Sequence, residues 1–594
     1  MKQELLQIKA ALLTWLKRGD GEGHADHVMR LTVAAVVLLF PAACLLVDRS
    51  DSLSLLLLLV IGLTAWVRNG FRAGLTRREW AYVAVFAFFF VAGLLAFEFG
   101  HQTDAGFRLL GRYLRLLFVL PALMALKRYR PPAALIWAGL GLGALALGAD
   151  AAWERIAGGA GAGLLTANTD SNAAILLGDL SALLTFTFAA GYVFIDQRLP
   201  RLGPWLVALC VLAGLSACFL SGARGGWIAL PVLLILFLTA RHLLHPRAVL
   251  AGAVVIVALF AGLYFLPQAH VRERIASGVV QTRAYLRIQD SIAKFGHPLH
   301  CLDDVTLLGI WASGAVQAAP PAIKISVAKM RRSSALVLQR RYGCTGTGVL
   351  VLYNPGPAKA SIRFPRYPRV DAGRAETRWL VMGKGGVKFG HGGRSLHRFH
   401  TRKYVHVDMV APRQFSDGVT VVVPAHSRIL LVPVESFVGE YSYAVLAHAS
   451  VAERLQMWSV AWDMFRHAPL LGVGTGAYMT EARQRVEANT APPVVAVYDH
   501  PHNEYLDALS SRGLLGLLAL LLFLGVPAWL FSCGLRSPDP VRMGACLAGL
   551  MLPVGFALFG LTETMFIHSV TLGWYAIMTA VFLVTADATE GKVQ

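Results

Sequence analysis

The chain has 594 residues, of which 56% are apolar and only 15% charged, with a mean hydropathy of +0.55. Ordinary soluble domains carry about 25% charged residues, so a purely soluble protein is excluded. Lys and Arg exceed Asp and Glu by 55 minus 35, or +20, and where that excess sits decides what it means.

Met1 to His27 begins with an amphipathic stretch, Lys2 to Trp15, and has no short apolar core ending in a small-residue cleavage site. Residues 1–28 therefore read as a cytoplasmic or interfacial segment, not a signal peptide. A bilayer core about 30 Å thick needs roughly 20 apolar helical residues. Nine such runs follow over 29–267, beginning near Met29, Leu53, Trp80, Leu114, Pro132, Ala173, Pro204, Gly226 and Ala248. Three more, near Gly513, Val541 and Val570, occupy 513–586, and 587–594 form a cytoplasmic tail. The runs are continuous and do not alternate as barrel strands must. The fold class is an all-α polytopic membrane protein with about 12 transmembrane helices.

Lys and Arg mark cytoplasmic loops. With both termini inside, the short inner loops hold Arg68, Arg72, Arg77, Arg78, Lys127, Arg128, Arg130, Arg198, Arg201, Arg241, Arg247, Arg536 and Arg542. The outer loops hold fewer: Arg49, Arg108, Arg112, Arg115, Arg155 and Arg224. This orientation puts the long region 268–512 outside. Within it, Tyr285 to Glu440 carry 22 Lys/Arg against 9 Asp/Glu, so 13 of the 20 excess positive charges lie in one extracytoplasmic block, whose partner should be anionic. The same block changes texture. Runs such as GVLVLYN, TRWLVMG and GVTVVVPAHSRILLVPV are separated by Gly, Pro, Asn and Asp turns, so 287–436 read as an inserted β-rich, sandwich-like accessory domain. Of seven cysteines, Cys301 and Cys344 alone fall in the oxidising compartment, where a disulfide between them is open to test.

Three clusters on the outer side carry chemistry. In LSGARGGW, Arg224 follows a spanning run directly, and two glycines let the backbone approach whatever the guanidinium holds. A planar fork of donors suits phosphate oxygens, and an arginine snorkelling to headgroups is the plainer alternative. In AERLQMWSVAWDMFRHAPLLGVGTGAY, Met457, Trp458, Ala461 and Phe465 form an apolar stripe at helical spacing, which leaves Arg454 facing a cavity or solvent. Its G-x-G-x-G run lacks the strand-to-helix context and downstream acid of a dinucleotide site. In YDHPHNEYLDALSSRGLLG, Asp499, His500, His502, Asn503, Glu504, Tyr505 and Asp507 crowd where a helix meets the membrane surface, and Pro501 sets an extended turn before that helix. A solvated turn, a metal site using His500, His502 and a carboxylate, and a histidine that orients or deprotonates a nucleophile are the competing readings. Two acids at membrane depth, Asp179 and Glu563, must face a cavity or a partner.

These residues resemble the O-antigen ligase and polymerase superfamily of bacterial envelope glycosyltransferases. SGARGGW is similar to its arginine motif after a span, RLQMWSVAWDMFRHAPLLGVGTGAY to its periplasmic-loop motif, and HNEYLDALSSRGLLGLL to its signature before the late helices. NAAILLGDLSALL is similar to the middle span of the ligase branch, whereas the β-rich block departs from the family, whose loop at this point is shorter.

The resemblance implies a GT-C-like enzyme of the bacterial inner membrane, its active site facing the periplasm, with no metal and no cofactor. Its partners would be an undecaprenyl-pyrophosphate-linked glycan donor, a lipid A-core acceptor and membrane lipids, without nucleic acid. On this reading Arg224 and Arg454 grip the pyrophosphate, and His502 activates or orients the acceptor hydroxyl with inversion at the anomeric carbon. Asn503, Glu504 and Tyr505 hold the imidazole or the sugar, with Glu563 beside them. Arg108, Arg112 and Arg115 are placed to receive lipid A-core phosphates or to anchor at headgroups. A chain-extending polymerase or a protein O-oligosaccharyltransferase of the same superfamily is the nearest alternative. A transporter or lipid flippase is the alternative of another class; such carriers are commonly built from matched halves, which are not detectable here.

Overall fold

The computed structural model describes residues 17, 22–70, 72–156, 172–240, 254, 257–258, 261–262, 264–265, 272, 299–301, 323–329, 348–364, 376–383, 388–390, 393–399, 406–412, 419–436, 450–488, 490–491 and 493–587. The chain divides into two compact units, Met1–Ile275 with Trp458–Glu481 and Asp499–Gln594, and Ala276–Met457 with Ala482–Tyr498.

The first unit is helical. In chain order it holds α1 (His24–Leu46), α2 (Ser50–Arg68), α3 (Arg77–Phe99), α4 (Asp104–Leu114), which continues through a 3-10 turn into α5 (Val119–Tyr129), and α6 (Ala133–Arg155). Next come α7 (Asn172–Ala189), α8 (Tyr192–Arg198), α9 (Gly203–Leu220) and α10 (Arg224–Ala240). Among the described residues nine helical segments are long and apolar enough to cross a membrane, or ten if one bent pair counts as a span. The protein is thus a multi-pass membrane protein.

Three of the twelve expected runs are not among the nine. The run near Ala173 breaks after Ala189 and turns by 49° into α8. Gly191 at that break lies against Trp137, where a Cβ would come within 2.5 Å of the indole. The run near Gly226 forms α10, apolar over Gly225–Thr239, and the described residues stop at its end, Ala240. Most of the run near Ala248, most of the N-terminal segment and the 588–594 tail lie outside the described residues, as does Cys344 and with it the Cys301–Cys344 pairing.

Helix ends follow local chemistry. Thr76 and Glu79 form a reciprocal capping box at α3, and Thr103 accepts from the Gly106 amide at α4. In the later part of this unit, α13 (Glu504–Ser532) starts at an Asn503 cap, α14 (Pro540–Phe559) at an Asp539 cap with proline in its first turn, and α15 (Ser569–Asp587) follows. Two further helices, α11 (Ser450–His467) and α12 (Tyr478–Glu487), precede α13 and run across the boundary between the units. The deepest part of the first unit is an aromatic cluster contributed by α3, α13, α14, α15 and one loop. Phe89 and Phe523 centroids lie 4.6 Å apart, Phe556 stacks on Phe566 at 5.3 Å, and Tyr575 touches Phe523, Phe556 and Phe566.

The second unit contains the strands. Six of them, β2 (Lys324–Lys329), β3 (Gly348–Asn354), β10 (Ser427–Ser436), β5 (Glu376–Gly383), β8 (His406–Pro412) and β7 (Gly393–Phe399), pair in that order. Strand β1 (Leu299–Cys301) pairs with the far end of β10, and β4 (Ala360–Phe364), β9 (Val419–Val423) and β6 (Lys388–Gly390) form a second sheet. Every pair is antiparallel. Val349 to Leu352 are all buried, so β3 is covered on both faces. The buried Asn354 amide donates to the carbonyls of Ala358, Val423 and Pro424, tying the end of β3 to β9.

Candidate active site

The site is assembled where the start of α13 meets the 560–568 loop between α14 and α15. Asn503 is extended (φ −159°, ψ 117°), accepts from the Leu506 amide at 2.9 Å and donates to the Leu561 carbonyl at 2.9 Å. The Asn503 amide donates to Thr564 Oγ1 at 3.2 Å, the Glu504 amide to the Gly560 carbonyl at 2.8 Å, and the Phe566 amide to Glu504 Oε2 at 2.9 Å. Phe566, buried in the aromatic cluster, anchors the loop from the other side. The loop therefore has one position, and it carries Glu563.

Glu563 is fully buried and gathers two imidazoles. His502 Nδ1 lies 2.9 Å from both of its oxygens, and His500 Nε2 lies 3.0 Å from Oε1. The other nitrogen of His500 reaches Asp499 Oδ1 at 2.6 Å. The two rings meet edge to face at 4.3 Å, and His568 packs edge to face on His500 at 5.9 Å. Burial alone pushes the His500 imidazolium down, but hydrogen bonds to Asp499 and Glu563 overcome it and lift the group to about 10. The hydrogen bond from His500 brings Asp499 down to about 2. Burial works to raise Glu563, yet its bonds to His500 and His502 hold it well below the usual carboxylate range. His568, buried among these charges, falls to about 4 and is neutral at neutral pH.

Chemically this is a carboxylate held ionised by one histidine that is charged at neutral pH while it fixes a second. A proton on His502 Nδ1, the tautomer this hydrogen bond favours, leaves the Nε2 lone pair as a base. His500, His502 and Glu563 also bring one ligand atom each within 4.8 Å of one another, a set able to hold a metal ion. The same atoms are already joined in direct hydrogen bonds.

The glycine run of the 468–477 loop has a structural role. Gly472, Gly474 and Gly476 all have positive φ, at 71°, 125° and 70°. The loop docks on a break in α13 at Gly513 (φ 64°, ψ −156°). There the Val473 and Gly474 amides donate to the Ser510 and Ser511 carbonyls, and the Leu514 amide donates to Pro469. A Cβ at Gly472 would lie 2.4 Å from the Arg512 nitrogen.

The sequence-predicted residues fall in different places. Glu563, expected at membrane depth and beside Asn503, Glu504 and Tyr505, is the direct partner of His502. Asn503, Glu504 and Tyr505 engage backbone instead of the imidazole; Tyr505 donates to the Ala557 carbonyl at 2.8 Å. Glu504 also faces the buried Arg512 at 3.7 Å, which pairs with Asp507 at 3.3 Å and lies over the Phe89 ring. Arg224 opens α10; its side chain lies outside the described residues. Its neighbour Gly225 abuts the loop, since a Cβ there would lie 2.8 Å from Thr562 Oγ1 and 2.9 Å from Asp179 Oδ1. The glycines after Arg224 thus let α10 approach α7 and the Glu563 loop. Arg454 is half-buried on α11, in the second unit. Arg112 donates to the Ile567 carbonyl of the same loop at 2.5 Å, Arg115 pairs with Asp51 at 3.3 Å and Ser52 at 2.9 Å, and Arg108 is exposed. Asp499, named in the sequence only as part of the cluster, pairs with the adjacent His500, and His568 carried no signal in the sequence because its contact with His500 is made from the α14–α15 loop.

Comparison with known proteins addresses this region directly. Residues 418–521 match the O-antigen ligase family model. The matched stretch includes His500, His502 and the start of α13, and the superfamily resemblance read from HNEYLD is borne out. It covers less than a fifth of the chain. A curated Haemophilus influenzae protein, itself described as uncharacterized, is 26% identical over 122 residues, 20% of this chain and 31% of that protein. The matched segment thus spans less than a third of that relative's length.

Proposed function

We propose that this protein is an O-antigen ligase that moves a glycan from undecaprenyl pyrophosphate to lipid A-core, with inversion and without a metal. The observation that carries the reading is the buried His502–Glu563 pair, whose histidine stands at the head of α13 inside the stretch that matches the family while Glu563 reaches it from the α14–α15 loop. In this mechanism Glu563 holds His502 by Nδ1, and Nε2 takes the proton of the acceptor hydroxyl. The freed oxygen attacks the anomeric carbon, the bond from that carbon to the pyrophosphate breaks, and its electron pair leaves with undecaprenyl pyrophosphate. Charge builds on the leaving diphosphate as this happens, and donors fixed in a water-poor site stabilise it. Arg224 and Arg454 are assigned that task, Arg224 because its helix begins against the Glu563 loop. Asn503, Glu504 and Tyr505 fix the frame, Arg112 braces the loop, and Arg108 remains for acceptor phosphates.

The same reading puts the site on the periplasmic face of the bacterial inner membrane, with 268–512 outside and the β-rich block at 287–436 as an accessory to acceptor binding. Reconstitution with an undecaprenyl-pyrophosphate glycan, offering lipid A-core, free glycan chains and a pilin-like protein in parallel, tests it. Label is expected on lipid A-core; label on glycan chains makes the protein a polymerase, and label on protein makes it a protein glycosyltransferase. Transport of the lipid-linked glycan without any covalent product would remove the enzymatic reading.

A further inference from the structure

We infer that the protein seats one anionic glycerophospholipid in a groove at the membrane end opposite His502. The groove, about 570 Å³, is walled by α6, the bent α7–α8 pair, the start of α9 and Val541 at the start of α14. That volume falls within the roughly 300–1,000 Å³ of sites that hold small amphiphilic ligands. Each of these helices has its Glu563-proximal end elsewhere. Asp179 on α7 lies near Thr562, and α14 ends at Gly560 beside Glu504, so Arg198 and Val541 mark the far side of the bilayer.

Two observations fit one occupant. The groove exists because α6 presents small residues on one face: Ala134, Ala138 and Gly141 recur at helical spacing, and Leu142 and Leu145 continue the face. From Pro132 to Leu145 that face is about 20 Å long, the reach of an extended acyl chain. Second, Arg198 is exposed at the mouth, its guanidinium 5.4 Å from the Phe194 ring, where a phosphate would meet it. A cation at the mouth and an apolar trough beneath it match an anionic phospholipid from headgroup to tail.

Native mass spectrometry of the detergent-purified full chain tests this, with phosphatidylglycerol, phosphatidylethanolamine of the same chains, and polyprenyl phosphate as probes. One phosphatidylglycerol is expected to be retained in preference to phosphatidylethanolamine. Arg198→Ala should weaken retention about fivefold, the worth of one basic residue near an anionic group. Ala138→Trp, which fills the trough, should abolish it while glycan transfer persists. Because Arg198 is exposed, its variant reads out binding even if Ala138→Trp fails to fold. Equal retention of the two phospholipids, retention unchanged by Arg198→Ala, or displacement of phosphatidylglycerol by polyprenyl phosphate would overturn the inference.

Discussion

His502 has a backbone φ of +50°, a conformation non-glycine residues adopt at a cost of about 1–3 kcal/mol. The Asn503 cap on one side and the Glu563 carboxylate on the other hold it there, and strain of this kind concentrates where a side chain must be aimed. Glu563→Gln keeps the shape but removes the charge that fixes the Nδ1 proton. Glycan transfer should fall about 10²–10⁴-fold, as for loss of general-base catalysis, with the protein still accumulating in membranes. Transfer at the wild-type rate would show that the pair only fills space. The neighbouring His500 gives a pH signature. Its pKa is raised from 6.5 to about 10, so the stability it contributes is fully present below pH 6.5 and is lost as pH rises through about 10. The gap in thermal midpoint between wild type and His500→Gln is therefore expected to be wide at pH 6 and to close toward pH 10; a gap that widens with pH contradicts the charged state. At this scale the sequence was legible in part. His502 and its cluster stood out by composition and spacing, whereas its pairing with a carboxylate 61 positions away did not, since a lone acid at membrane depth reads equally as helix packing.

The elements that support the pair rely on close backbone approach. Arg512 is buried between α13, Phe89 and Tyr113, and Gly513 just after it breaks the helix so that the 468–477 loop can lay its amides on exposed carbonyls. Helix breaks within a membrane are tolerated where neighbouring backbone satisfies the freed groups, and this loop does so. The sequence showed the glycines and excluded a dinucleotide site, but their need for positive φ arises only from the docked geometry. Gly472→Ala places a methyl on the Arg512 nitrogen in a left-handed conformation, so a lowered melting temperature and poor membrane accumulation are expected. Gly111→Ala is the control, because nothing lies within 4 Å of a Cβ there. Equal behaviour of the two variants would mean that the loop does not brace the site.

At the scale of the molecule, hydropathy located the spans because a bilayer imposes a length that periodicity can measure. Nine of these spans, or ten with the bent pair, stand among the described residues, and the 49° turn at Gly191 answers to packing on Trp137. Strand-like texture likewise predicted paired strands in the 287–436 block, although their order, with β10 between β3 and β5, follows from pairings distant in sequence that alternation alone cannot set. Division into two units bears on function. His502, Glu563, the 560–568 loop and the aromatic cluster belong to the first unit, and every contact described here for the His502–Glu563 pair is internal to it. A variant in which Arg287 to Ser436 are replaced by a short flexible linker should still accumulate in the membrane and melt near the wild-type temperature. On the proposed function, in which the basic block serves acceptor binding, it should keep partial glycan transfer, with the loss in KM for the acceptor and not in kcat. Loss of kcat at unchanged KM in a stably folded deletion would instead put part of the catalytic machinery within the strands.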